Sequence, residues 1–422
     1  MDFRTLPKGP LTLANLTAPG CLVGSTDEAA RIDLSIADGR LTKPGIGETI
    51  DMAGAMVFPT FVDMHTHLDK GHIWGRTPNP DGTFMGALSS VGEDRAARWS
   101  ADDVRRRIDF TLRSAYVHGT GAIRTHIDSI PPQEDISWPV IREIRSDWAG
   151  RIDLQAVCLV GIDRVGDTPE FTKIADIVAQ SQGVLGAVTY PDPELEDKLR
   201  LFFRMAEARG LDADFHVDET LDSSVATLRV IAEIVLEAGF QAPVTVGHCC
   251  SLSTQPEAEA LETLGLVAEA GINVVSLPLC NLYLQDRHAK RTPRYRGVTL
   301  VHEMKARGTN VSFASDNTRD PFYAYGDLDM LEVMREATRI AHLDHSDADW
   351  VNAFLTNPAK ASGFKLPSLA PGAPADLVIC KARNFNELMS RPQSDRIVVR
   401  GGEQIDRTLP DYSELDDLME PA

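Results

Sequence analysis

Apolar and polar residues alternate singly near both ends of the chain, which is the period of two expected for β-strands with one buried face. Ile32, Leu34 and Ile36 are separated by polar residues, and an Asp-Gly pair typical of a tight hairpin turn follows them. Residues 366–409 contain similar β-rich runs between prolines and glycines. The pattern predicts one small β-sandwich domain assembled from segments 1–55 and 366–409.

Between these segments, short apolar runs typical of strands alternate with longer helical patterns. One helix is predicted to begin after Ser100, a good N-cap, and to end at Gly119. Further helical patterns run through 228–235 and 258–267. The predicted strands end at His67, Asp128, Val160, Tyr190, His216, His248, Leu277 and Asp316. This alternation predicts an α/β fold, a (β/α)8 TIM-like barrel over residues 56–365.

Histidines and an aspartate cluster at the predicted strand ends. His65 and His67 point to the same side of the first strand of the barrel, because side chains of a strand alternate between its faces. His216, His248 and Asp316 also end predicted strands. Barrels of this class carry their chemistry at the C-terminal ends of the strands, and neutral imidazoles that converge can bind a divalent ion. The sequence therefore predicts a metal site there.

Composition and charge limit the partners. A net charge of −20 argues against a nucleic-acid partner. The sequence contains no run of 18 apolar residues, so no membrane span is predicted. The six cysteines form no Cys-x-x-Cys pair, and no signal-peptide pattern precedes residue 13, so we expect reduced thiols and a cytoplasmic protein. Residues 410–422 form an acidic tail that is either mobile or attached to the surface. Self-association into a homo-oligomer stays open.

The motifs, in this order, resemble those of the amidohydrolase superfamily, and most closely its cytosine deaminase-like branch. The resemblance extends from about residue 55 to 405. The matching stretches are residues 65–69, 124–128, 152–155, 216–219, 278–287 and 315–321. The motif set is specific for the family and much less specific for the substrate.

The resemblance implies one divalent ion, zinc or iron. It implies that His65, His67, His216 and Asp316 are the metal ligands. A metal-bound hydroxide would attack a ring carbon beside His248, and Glu219 and Asp316 would transfer protons. The binuclear branch of the superfamily bridges two ions with a carbamylated lysine near the ends of the third or fourth strand. No lysine occurs in 152–161 or 183–191, so one ion is expected.

The implied reaction is the hydrolytic deamination of an amino-substituted nitrogen heterocycle, a pyrimidine, triazine or pterin-like ring, with release of ammonia. Two alternatives are hydrolysis of a cyclic or acyclic amide and a non-catalytic scaffold with the same fold. The scaffold is disfavoured because every implied ligand and the acid are retained. Ammonia release from a panel of amino-heterocycles would separate deamination from amide cleavage.

The residues that would read the ring depart from the cytosine deaminase pattern. Gly161, Asn317 and Phe322 stand where that enzyme has Gln, Asp and Trp. Buried polar groups select substrates that pair with them, so we expect cytosine to be a poor substrate. The missing side chain at residue 161 is expected to open space for a larger ring. Lys70 could bind an anionic or carbonyl-rich ring.

Residues 69–99 form an insertion after the first strand of the barrel. Its glycines and prolines predict a long loop that could act as a lid. Trp74 and His72 lie in this insertion as further candidates for substrate contact. His126, within the Arg-Thr-His stretch, is interpreted as structural support or an outer contact of the site.

Overall fold

The computed structural model describes residues 2–166 and 168–420, and strands and helices alternate through most of them. The strands are β1 (Leu11–Pro19), β2 (Ala29–Ala37), β3 (Arg40–Thr42), β4 (Glu48–Asp51), β5 (Met56–Pro59), β6 (Phe61–Thr66), β7 (Thr120–Asp128), β8 (Asp153–Leu159), β9 (Leu185–Thr189), β10 (Ala213–Val217), β11 (Val244–His248), β12 (Asn273–Ser276), β13 (Val311–Phe313), β14 (Leu377–Cys380), β15 (Ile397–Arg400) and β16 (Glu403–Gln404). The helices are α1 (Phe84–Arg98), α2 (Ala101–His118), α3 (Gln133–Asp147), α4 (Pro169–Gln180), α5 (Leu195–Arg209), α6 (Thr227–Ala238), α7 (Glu257–Glu269), α8 (Pro278–Leu284), α9 (Val301–Ala306), α10 (Met330–Ala341), α11 (Thr356–Ser362), α12 (Phe385–Ser390) and α13 (Asp416–Met419).

Parallel strands form the middle of the chain. Strands β9 to β13 form one parallel sheet and β6 to β8 form another. Parallel bridges pair Val157 with Val184 and Thr66 with Asp316, so the two sheets meet at both margins. Helices separate most of these strands, as parallel pairing requires long crossover connections. The predicted α/β class with parallel strands is confirmed, and the strands end within three residues of the predicted positions.

Helix α2 has the boundaries that its sequence predicts. The Ser100 side chain accepts a hydrogen bond from the backbone N–H of Asp103 and so caps the first turn. Gly119 ends the helix with a φ of 99°, in the left-handed region that favours glycine. A Cβ atom at Gly119 would also lie 2.3 Å from Val378 of β14. The glycine therefore both ends the helix and lets it approach the terminal strands.

Strands from the two ends of the chain pair with each other. The order is β16-β15-β14-β5-β1-β2-β3, with β4 added on β1, so the strands form one connected sheet where we predicted a two-sheet sandwich. The register of β1 shifts between Leu13 and Leu16. Its first half therefore pairs with β4 and Thr17 in its second half pairs with β5, which forks the sheet. An apolar cluster covers this sheet and includes Leu13, Leu16, Val57, Leu377 and Ile397.

The insertion at residues 69–99 is not the long loop that we predicted, because α1 occupies its second half. The Thr83 side chain caps α1 by accepting a hydrogen bond from the N–H of Gly86. Ala87 and Val91 are buried against the main core. The prolines and most of the glycines precede the helix, so they bias the composition of the insertion without interrupting α1.

The acidic tail lies on the surface of α1 and α2, as far as residue 420. Arg106 Nη1 lies 2.6 Å from Asp417 Oδ2, and Arg113 Nη2 lies 2.6 Å from Glu414 Oε2. Of the two alternatives for the tail, these contacts favour surface attachment. None of the described helices combines the length and the hydropathy that a membrane crossing needs.

Arg396 joins the terminal sheet to the helices around the parallel strands. Its guanidinium contacts Asp329 with both terminal nitrogens, at 2.7 and 2.5 Å, and donates to the backbone oxygen of His118 at 3.3 Å. Burial alone would raise the pKa of the Asp329 carboxyl, but the Arg396 charge beside it holds that pKa well below its usual range. Such a buried pair is costly to break from one side.

Replacing Arg396 by methionine is expected to lower the free energy of unfolding by about 3–5 kcal/mol at pH 7, because Asp329 keeps its charge without a partner. The measurement is urea unfolding of both proteins. The matched control is Arg383→Met, which breaks an exposed pair with Glu387 and should lower the free energy of unfolding much less. Because the pKa of Asp329 is depressed in the folded chain, its stabilisation is present above pH ~4 and is lost as the pH falls below that value. Equal midpoints for wild type and Arg396→Met at pH 7 would contradict the expectation.

Candidate active site

The first two predicted ligands stand at the end of β6. His65 lies within the strand and His67 directly follows it, and their exposed fractions are 0% and 5%. Both side chains turn to the same side, as strand alternation requires. The Nε2 atoms of His65 and His67 lie 3.2 and 3.1 Å from His216 Nε2, which comes from β10. The three imidazoles therefore converge on one point.

Asp316 completes this group from the end of β13. Its backbone N–H donates to the carbonyl of His65 at 2.9 Å, which fixes the two strand ends together. Its Oδ1 lies 3.3 Å from His67 Nε2 and 3.6 Å from His65 Nε2. The φ angle of Asp316 is 69°, a conformation that costs free energy outside glycine and that often marks functional sites.

These four groups fit a divalent metal ion. Tetrahedral sites bind nitrogen and oxygen at ~2.1 Å, which places neighbouring ligand atoms about 3.4 Å apart, close to the separations seen here. Both carboxylate oxygens of Asp316 are buried and accept no hydrogen bond from the described residues. Buried acceptors are normally paired, and these oxygens are free to pair with a cation.

The electrostatics of the three histidines suit the same role. Burial, and then the neighbouring imidazoles, hold the pKa of His65 well below its usual value. Burial likewise lowers the pKa of His67 and of His216. Neutral imidazoles keep a lone pair for a metal ion, so these side chains are in the state that binding requires. Burial raises the pKa of Asp316, and a cation would reverse this effect.

Glu219 and His248 stand beside the cluster. His248 ends β11, and its Nδ1 accepts a hydrogen bond from Asn281 Nδ2 at 3.0 Å and lies 3.4 Å from Glu219 Oε1. Burial, and then the charge of Asp316, raise the pKa of Glu219 well above its usual range. A raised pKa favours the protonated form of Glu219, which is the form that can give a proton to a substrate. The structure thus brings both predicted catalytic groups to the cluster.

His126 lies directly beside the three converging imidazoles. It belongs, with His65, His67 and His216, to a group of buried nitrogens within 4.8 Å of one another. Its Nε2 lies 3.2 Å from Asp214 Oδ1, and its ring packs 4.1 Å from that of His65, measured between centroids. The pairing with Asp214 fixes the ring beside the three converging imidazoles, and the role of His126 as an outer contact stays a prediction.

Lys70 is a buried cation on the wall of the same cavity. Its Nζ lies 3.0 Å from Asp128 Oδ1, and Arg95 of α1 contacts the other oxygen of Asp128 at 2.7 Å. The Asp128 carboxylate therefore pairs with two cations, Lys70 and Arg95. The Lys70 ammonium also lies 5.5 Å from the centre of the Phe322 ring. It has further donors for an acceptor in the cavity.

Asn317 and Phe322 line the cavity as predicted. The Asn317 amide donates to Asp320 Oδ2 at 2.7 Å, which fixes its orientation. Burial raises the pKa of Asp320 to about 7. Phe322 packs edge-to-face against Phe84 of α1, so the inserted helix helps to hold this part of the wall.

The space at Gly161 is filled, which corrects the expectation that the missing side chain opens room for a larger ring. A Cβ atom here would lie 2.3 Å from Asp163 Oδ1 and 2.8 Å from the Tyr190 hydroxyl. These two side chains come from the segments after β8 and β9 and hydrogen-bond to each other. The side chains of Asp163 and Tyr190 therefore occupy the space that a side chain at residue 161 would fill.

Trp74 and His72 are not brought to the cavity. Trp74 is partly buried, and its backbone N–H donates a hydrogen bond to the backbone carbonyl of Arg319. His72 is buried against Phe110 and Tyr412, away from the cluster. The two predicted substrate contacts therefore belong to the packing of the insertion.

A cavity of about 580 Å³ opens in front of the cluster. His67, His216, Glu219, His248 and Asp316 line its floor. The wall from α1 is apolar except for Arg95, and Met85 and Leu88 at its rim are 66% and 48% exposed. The volume is in the range of small-molecule sites.

Three residues at the site had no role in the sequence interpretation. Asn281 orients His248, Asp128 holds Lys70, and Asp320 holds Asn317. Each stands within a stretch that matches the family, at or just after a strand end. Their position in those stretches was the available signal.

The family of the chain follows from comparison with known proteins. A model of the amidohydrolase family matches residues 162–406, more than half of the chain. The chain belongs to the amidohydrolase family. Members of this family depend on metal ions, in agreement with the cluster of histidines.

Individual relatives belong to the deaminase branch of this family. The chain is 51% identical over 420 residues to the pterin deaminase of Rhizobium rhizogenes, covering 96% of each protein. The 5-methylcytosine deaminase of Klebsiella pneumoniae superposes with a TM-score of 0.80 and 25% identity, over 94% of this amidohydrolase and 97% of that chain. The N-isopropylammelide isopropylaminohydrolase of Burkholderia multivorans gives a TM-score of 0.74 and 25% identity, over 94% and 98%. The resemblance inferred from the motifs is confirmed.

Proposed function

We propose that this amidohydrolase is a hydrolytic pterin deaminase. It would replace the 2-amino group of a 2-amino-4-oxopteridine ring by oxygen and release ammonia. The observation that carries the proposal is the 51% identity to a pterin deaminase along 96% of both chains. Buried histidines that could hold a metal ion, and a buried acid, accompany this identity, so a non-catalytic scaffold is disfavoured. Amide hydrolysis has no such support among the relatives.

The architecture that we infer for this function is a closed (β/α)8 barrel within residues 56–365, whose first strand is β6, because β5 pairs with β14 in the sheet of the chain ends. The bridges at both margins of the two parallel sheets support the closure. Segments 1–55 and 366–409 would form the second domain, with 410–422 as a tail. Five of the six free cysteines are buried, which supports a reducing, cytoplasmic location.

We propose one divalent ion, zinc or iron, held by His65, His67, His216 and Asp316. When bound, such an ion supplies an activated water nucleophile near neutral pH. Lys70 is the lysine among the described residues that line the cavity, and its ammonium is paired with Asp128. That pairing argues against a carbamylated lysine that bridges two ions.

The protein groups divide the proton transfers between them. Burial raises the pKa of Glu219, and its carboxyl can give a proton to the ring nitrogen next to the attacked carbon, which makes that carbon more electrophilic. Since His248 Nδ1 accepts from Asn281, the imidazole proton is on Nε2, which has no partner among the described residues. His248 can then donate to the oxygen that develops negative charge. Glu219 would then be reprotonated by the proton that the attacking water gives up, which Asp316 can accept, and would pass that proton to the leaving amine.

The wall residues orient the ring. Lys70 can donate to the 4-oxo group, which is the acceptor that a pterin carries near its attacked carbon. Asn317 offers a donor and an acceptor to the ring edge, and Phe322 offers an apolar face. Gly161 has no side chain, which leaves room for Asp163 and Tyr190 on the cavity wall. We do not assign substrate contact to Trp74 because it lies outside the cavity lining.

A panel of amino-heterocycles tests the substrate. We expect ammonia release from pterin with a kcat/KM above ~10⁴ M⁻¹s⁻¹ and from cytosine well below that value, because the groups that would read a pyrimidine are replaced. The measurement is steady-state ammonia production from pterin, cytosine, isocytosine and an aminotriazine, with metal-depleted protein as the blank. Cytosine as the best substrate, or no ammonia from pterin, would overturn the proposal.

A further inference from the structure

The Asp163–Tyr190 pair offers only hydrogen-bond acceptors to the cavity. The Tyr190 hydroxyl donates its proton to Asp163 Oδ1. Burial, and then this hydrogen bond, raise the pKa of Tyr190 to about 12, so the phenol stays protonated. Asp163 Oδ2 accepts no hydrogen bond from the described residues, and Arg164 Nε, at 3.9 Å, is too far away to donate. The pair therefore lacks a donor of its own on the cavity side.

The pair is held in place by the absence of a side chain at Gly161. The backbone there has φ −70° and ψ 150°, which any residue adopts, so the glycine is not required by the backbone. A Cβ atom would instead meet the ends of the Asp163 and Tyr190 side chains, so a side chain at residue 161 would displace the pair from its present position. The glycine thus leaves room for the pair on the cavity wall.

The pair lies on a different side of the cavity from Lys70. Asp163 and Tyr190 follow β8 and β9, whereas Lys70 follows β6 and Asn317 follows β13. A ring whose attacked carbon faces the metal ligands would turn one edge to each of these sides. The Asp163 side chain is 54% exposed, so it lies at the outer part of the cavity, where the half of the ring remote from the attacked carbon would cover it.

We propose that Asp163 is a specificity-determining residue that accepts a hydrogen bond from a ring N–H remote from the attacked carbon, and that Tyr190 positions it. This inference rests on the proposed function. In an oxidised pterin, N5 and N8 present lone pairs, which a carboxylate repels. A 7,8-dihydropterin carries a proton on N8, which a carboxylate accepts. Asp163 thus favours the reduced ring over the oxidised one.

The test is the ratio of kcat/KM for 7,8-dihydropterin to kcat/KM for pterin, measured by ammonia release without oxygen. We expect Asp163→Asn to lower this ratio about 10-fold or more, because a charged hydrogen bond is lost and the new amide can donate to the oxidised N8. Tyr190→Phe should lower the ratio less, since it releases the carboxylate without removing it. The control is Asp153→Asn, an exposed acid at the opposite end of β8, which should leave the ratio unchanged.

The ratio separates specificity from folding, because both substrates are measured on the same sample and any inactive fraction cancels. A ratio within about 2-fold of wild type in Asp163→Asn, with ammonia released from both rings, would overturn this inference alone. An equal drop in the Asp153→Asn control would also overturn it. No ammonia from either ring with wild-type protein would overturn the proposed function, and this inference with it.

Discussion

Asp316→Ala is expected to lose bound metal and activity together. The substitution removes the one carboxylate of the cluster, whose Oδ1 lies 3.3 Å from His67 Nε2. It leaves three neutral imidazoles without the charge that compensates a divalent cation. We expect metal content to fall from about one equivalent per chain to near zero. Turnover should fall by roughly 10³-fold or more, beyond the ~10–100-fold typical of an outer contact.

Elemental analysis and ammonia release on the same preparation, purified without chelator, check this result. His65→Ala should behave in the same way, because it removes one of the converging nitrogens. The matched control is His288→Ala, whose side chain is 58% exposed and lies outside the cavity lining. It should retain metal and turnover. Two equivalents of metal in wild type would refute the mononuclear site, and full metal occupancy in Asp316→Ala would exclude that residue as a ligand.

The periodic parts of the fold were predictable because they depend on local chemistry. Ser100 and Gly119 set the ends of α2 through a cap and a left-handed residue, both of which are visible as residue types. The cluster of histidines with Asp316 was predictable for a related reason. Parallel strands bring their carboxyl ends to one edge, so His65, His216 and Asp316 could be placed together without knowledge of any distance.

Helix α1 and the wall at Gly161 were not predictable, because tertiary contacts decide both. Arg95 of α1 pairs with Asp128, which lies 33 residues later in the chain. A pair at this separation cannot be predicted from the local sequence pattern. The space beside Gly161 is filled by Asp163 and by Tyr190, which follows a different strand. A comparison made position by position detects the missing glutamine and misses the groups that replace it.

The forked terminal sheet illustrates the same limit. Alternation of apolar residues identified its strands, but the pairing depends on the shift in β1 between Leu13 and Leu16. A change of register is set by the partners on each side, and composition does not reveal it. The strands could therefore be predicted, and their arrangement in one connected sheet could not.

Glu219→Gln is expected to retain the metal and to lose turnover by roughly 10²–10⁴-fold, the usual contribution of general acid–base catalysis. The amide has nearly the same shape as the carboxylic acid, so contacts with His248 and Asn281 can persist. It cannot pass a proton to the ring nitrogen or to the leaving amine. Burial and the charge of Asp316 raise the pKa of Glu219, which favours the protonated form of the native group. Metal analysis and single-turnover ammonia release distinguish a chemical defect from loss of the ion.

Glu207→Gln, the same change at an exposed position of α5, is the control and should leave both metal content and turnover unchanged. Turnover near the wild-type level in Glu219→Gln, with metal bound, would show that another group supplies the proton.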